Sequence, residues 1–176
     1  PGVILAGHAV ENYRAALDEA FVTLAANSLF LSAGAAAIAV GLSLVLAYGA
    51  RLDGRPAVRV AVRIASLGYA VPGAVLAVGV LSPFGWLDNA VDGWMRANLG
   101  VSTGLLLSGT VVAILFGYTV RFLAISFGTI EAGLAKIRPN MDDAARSLGL
   151  TPAQTLWRVH VPLMRGSALA AAILVF

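Results

Sequence analysis

Few residues in this 176-residue chain could do chemistry, and most of them lack partners. Gly100-Val-Ser102-Thr-Gly104 has the glycine spacing of a nucleophile elbow. An elbow needs a strand before it and a base to activate its serine. Ser102 is expected instead to open an apolar helix, with neither His8 nor His160 beside it. With no cysteine there is no disulfide framework and no thiolate metal site, and His8 reads as a solvated side chain. His160 is expected to be exposed or to touch a partner rather than a metal. The only lysine, Lys136, follows no glycine-rich turn that could cradle nucleotide phosphates, so the chain is expected to bind no cofactor and to catalyse no reaction. Arg51, Arg55, Arg59 and Arg63 recur at four-residue spacing with Asp53 alone opposing them. They lack the aromatic and polar readers of a nucleic-acid surface, so anchoring to anionic lipid headgroups is the expected use.

The elements that must carry these residues are membrane spans. Hydrophobic residues make up 59% of the chain and charged residues 12%, with a mean hydropathy of +0.86. A soluble domain carries about 25% charged residues. The expected class is an all-α, polytopic membrane protein, since a bilayer takes about 20 apolar residues per helical span. Residues 20–50 carry no charge and predict a first span over about 26–49, with Ala33, Ala37 and Gly41 as its packing face. The second span is expected over about 64–82. Tyr69, Pro72 and Gly73 lie in its middle, where a proline kink could line a translocation path. Residues 82–101, with Asp88, Asp92 and two tryptophans, read as an outer loop. A third span is expected over about 103–125, with Arg121 anchoring its end, and a fourth begins at about 167 and reaches residue 176 only part-way across. The absence of an initiating Met and the short last span suggest one part of a longer chain.

Between the third and fourth spans lies a polar island, Asn140 to Pro162. Asn140 with Asp143 predicts a capped helix start, and Gly149 a stop, because glycine takes the left-handed conformation at no steric cost. Thr151, Pro152 and Gln154 then open a second helix with a capping box, bounded by Pro162. The result is a pair of short helices with a sharp bend, which by itself could be a mere amphipathic connector.

The spacing of this island resembles the EAA loop of ATP-binding-cassette importer permeases. The matching positions are Asp143, Ala144, Ala145, Gly149, Val159, Val161 and Pro162, with Asp in place of Glu and Val in place of Ile and Leu. The resemblance implies a type I importer transmembrane bundle, truncated here, with residues 139–162 as the cytoplasmic coupling loop. It also implies a cytoplasmic ATPase dimer that binds the ATP, a periplasmic substrate-binding protein and a second permease half. The segments around LGYAVPGAVLAVGVL and GYTVRFLAISFGTIEAGLAKIRPNMDDAARSLG look like the ferric-iron branch, while thiamine, phosphonate and polyamine permeases share much of the pattern.

Orientation follows from charge. One set of alternate loops holds Arg51, Arg55, Arg59, Arg63, Arg121, Lys136, Arg138, Arg146, Arg158 and Arg165, and the other only Arg14 and Arg96. The positive-inside rule places the first set in the cytoplasm with the N-terminal end outside, and the resemblance implies a bacterial inner membrane. A secondary transporter would need charged or filter-forming residues in its spans, an intramembrane hydrolase would need Ser102, and a structural subunit would bind no ATPase.

Overall fold

Proline and glycine divide an otherwise continuous run of helix formers. The computed structural model describes residues 19–52, 56–65 and 67–176. The expected interfacial lead-in with His8 and Arg14 lies outside the described residues, as do Asp53, Arg55 and the side chain of Arg59. Helix α1 spans Glu19–Leu52 and α2 Pro56–Ala65; a 3-10 turn, Gly68–Ala70, precedes α3, Gly73–Leu99. Then come α4 (Val111–Ala135), α5 (Asn140–Ser147), α6 (Pro152–Thr155), a π turn (Leu156–His160), α7 (Val161–Leu163) and α8 (Arg165–Val175). No strand occurs among the described residues.

Phe21–Leu52, Gly73–Leu99 and Val111–Ala135 are each long and apolar enough to cross a bilayer. Helices α1, α4 and α8 pack together, burying Leu44, Tyr48, Phe127, Ile130, Leu134 and Ala171 around the loop residues Leu156 and Met164. The packing stripe of α1 is Ala36, Ala39, Ser43 and Ala47, not Ala33, Ala37 and Gly41, of which both alanines are exposed. Both rows are small enough for close approach. The buried one adjoins Leu44 and Tyr48, which have more apolar area to gain. Helices α4 and α8 cross closely at Gly133, where an added Cβ would lie 2.6 Å from that of Ser167.

The second expected span is divided rather than kinked. Val71 (φ −82°, ψ 128°) and Pro72 (φ −55°, ψ 137°) are extended, and α3 starts afresh after them. A proline's ring disfavours helical backbone in the residue before it, so Val71-Pro72 ends the 3-10 turn instead of bending a helix. From Gly73 the helix runs on through Pro83 and through the residues expected to form an outer loop, to Gly100 at φ +67°.

The connection between α3 and α4 is residues 100–110, wound onto two carboxylates of α3. Buried Asp88 accepts from the backbone N–H groups of Leu106, Leu107 and Ser108 and from the Ser108 hydroxyl, at 2.6–3.1 Å. One turn later Asp92 accepts from the Ser102 hydroxyl and the amides of Thr103 and Gly104. Ser102 thus sits in the connection and does not open a helix; its hydroxyl is held between Asp92 and Arg96. The third long helix begins just after Thr110, whose hydroxyl caps the Val112 amide, and extends to Ala135. Arg121 therefore lies near its middle and not in its last turn.

Candidate functional site

The polar island folds as two short helices on the end of the α1–α4–α8 bundle. Its first helix starts one residue earlier than its capping residues suggest. Pro139 is already helical (φ −57°, ψ −31°), so Asn140 cannot take the extended cap geometry and no side-chain cap forms. Asp143 is exposed and pairs with Arg146 one turn on. The other end of α5 follows expectation. Gly149 has φ +77°, its amide donates to Arg146 at 2.9 Å, and the Leu150 amide donates to Ala145 at 3.1 Å, the paired bonds of a Schellman stop. Thr151 and Gln154 form the reciprocal capping box.

The second helix does not stop at Pro162. It widens into the π turn at Leu156–His160 and continues to Leu163, and the chain then bends by 81° into α8. A proline offers no N–H to the carbonyl one turn back and crowds it. The wider turn immediately before Pro162 is a known way of absorbing that loss.

Under the loop lies a network that spacing did not reveal. Asp142, the neighbour of the expected Asp143, is buried. Its Oδ2 accepts from Arg51 Nε at 2.9 Å and from Arg51 Nη2 at 2.8 Å, and its Oδ1 lies 2.6 Å from His160 Nε2. The same Arg51 donates to the carbonyls of Leu134 and Ile137 at 2.7 and 2.9 Å. His160 is fully buried, 5.1 Å from the Tyr48 ring. Arg51 is therefore a structural tie between α1, the end of α4 and the loop, not a lipid anchor, and His160 is neither exposed nor available to a partner. Burial works to raise the Asp142 pKa, but the hydrogen bonds from His160 and Arg51 outweigh it and hold the carboxyl below its usual range. In the sequence the only sign of the network was an arginine directly after an uncharged span and an acid in the first turn of α5.

The loop thus has two faces. Ala145, Asp142, Thr155, Leu156 and His160 are buried against the bundle, and Val159 and Val161 are half-buried. Ala144, Leu148 (81% exposed), Gly149, Trp157 and Pro162 face outward. Tyr69 and Pro72 lie exposed on the turn between α2 and α3, and Gly73 lines a groove between α3 and α4. Among the described residues no three His, Asp or Glu side chains gather into a metal site.

This architecture defines a class: an all-helical, multi-pass membrane subunit with a bent polar loop braced on its bundle end. Residues 39–176 match the family model of the binding-protein-dependent transport system inner membrane component. The chain belongs to that family, with the transmembrane fold of type I ABC importers, and so to systems that include an ATPase and a substrate-binding protein. No individual curated protein gives a match.

Proposed function

We propose that this chain is the non-catalytic translocation subunit of an importer for ferric iron, driven by a separate cytoplasmic ATPase dimer that docks on the Asp143–Pro162 loop. The observation carrying this reading is the loop's division of labour. Its lower face is tied to α1 and α4 through Arg51, Asp142 and His160, while Leu148 and Trp157 stand bare on the outer one. A push on the outer face would pass into the spans because the polar ties and buried apolar contacts resist sliding. The iron assignment rests on the resemblance of the second and third long segments to the ferric-iron branch. A periplasmic binding protein would deliver the cargo, and a second permease half, fused or separate, would complete the path.

Two variants test the coupling. A Cβ at Gly149 would meet nothing within 4 Å, so Gly149→Leu acts first by straining the left-handed backbone. Leu148→Asp instead places a charge on the outer face. Each is expected to weaken ATPase co-purification about tenfold, as loss of a single interface anchor does, and to abolish cargo-stimulated hydrolysis. Unchanged binding and stimulation in both variants would falsify the coupling role. Uptake of labelled ferric iron against thiamine, by the full complex, tests the cargo.

A further inference from the structure

Arg121 stands near the middle of α4, at ~1.5 Å per residue about 15 Å from the first residue and about 21 Å from the last. That is more than two turns inside either end of an apolar helix long enough to cross a bilayer, where an arginine is rare and marks a functional site. Among the described residues it makes no ion pair or hydrogen bond, and its guanidinium lies over the Phe122 ring at 5.8 Å from the centroid. Its guanidinium lies so close to Gly73 that any Cβ there would collide with Nη1. Both residues line a groove of about 670 Å³ between α3 and α4, whose other walls include Leu76, Ala77, Ser108 and Tyr118 and, among the described residues, no acidic one. α3 starts at the same level, at Gly73, with no side-chain cap on its first-turn amides.

A guanidinium cannot shed its charge, so burial in the hydrocarbon layer is costly without an anion. Among the described residues the groove's own walls supply none. We propose that Arg121 and the groove beside Gly73 form an oxyanion site in the translocation path, and that the cargo crosses as an anion or an anionic complex. This rests on the permease reading above. It narrows it, because bare ferric ion, thiamine and polyamines would be repelled, whereas an anionic ferric chelate or a phosphonate would be held.

The test uses the assembled complex with its ATPase and binding protein in proteoliposomes. Since the chain has no cysteine, Ala77→Cys puts one thiol of this chain in the groove. Its reaction with an anionic methanethiosulfonate reagent, relative to a cationic one, is expected to fall several-fold when Arg121→Gln is added and to persist with Arg121→Lys. ATP-driven uptake of ferric citrate or methylphosphonate should fall in Arg121→Gln, with ATPase co-purification unchanged. An unchanged reagent ratio, or thiamine or spermidine uptake that survives Arg121→Glu, overturns the oxyanion site alone. No ATP-driven uptake of any probe by the unaltered complex overturns the permease reading and this site with it.

Discussion

Adjacent acids can have opposite fates, and the difference is one of environment. Asp142 and Asp143 sit in the same turn of α5, yet one is buried under Arg51 and His160 while the other pairs with Arg146 at the surface. Replacing Asp142 by Asn should cost about 2 kcal/mol, less than a fully buried pair because the carboxylate lies at the edge of the bundle, while Asp143→Asn should fall within about 0.5 kcal/mol of the parent. Thermal unfolding of both variants in detergent would check this, and equal losses would contradict it. The pH dependence has a definite sign. The folded pKa of Asp142 is depressed, so its contribution is complete above the ordinary carboxylate range and fades as pH falls through the lower, folded value. The parent's stability should therefore drop more steeply than that of Asp142→Asn as the solution is taken below pH ~4.

At the scale of elements, helix starts and stops were legible only where a backbone requirement singles out one residue type. Gly149, the Thr151–Gln154 box and the uncharged stretch of α1 carry local signals that tertiary contacts leave intact. Pro72 was misleading because the same residue either kinks a helix or precedes one, and the choice lies in Gly68. That glycine lets the 3-10 turn rest on α4, where a Cβ would collide with the Val120 carbonyl. Gly133 plays the same part at the α4–α8 crossing. Gly68→Ala and Gly133→Leu should each destabilise by about 1–3 kcal/mol through overpacking. Gly149→Ala, with open space around its added methyl, should cost only about 1–2 kcal/mol of backbone strain. Denaturation midpoints of the three variants would rank them, and Gly149→Ala as the most damaging would refute the packing account.

For the whole molecule, the arginine asymmetry predicts that the coupling loop and the α3–α4 connection face opposite sides of the membrane. The absence of cysteine permits a direct check with Trp157→Cys and Trp94→Cys, exposed at those two ends. In right-side-out vesicles a membrane-impermeant maleimide should label position 94 and not 157, with the pattern reversed after inversion. Labelling of 157 from the outside would end the proposed ATPase docking.

The sequence alone determined that this is a helical membrane protein with a bent polar loop between long apolar segments. Composition, span length and glycine or capping requirements act locally and need no knowledge of neighbours. Which small-residue row packs, where the second apolar segment breaks, which of two adjacent aspartates is buried, and that Arg51 ties α1 to the loop were decided only in three dimensions. Each depends on groups that are distant along the chain, and the energies of burial and hydrogen bonding exist only once the fold brings those groups together.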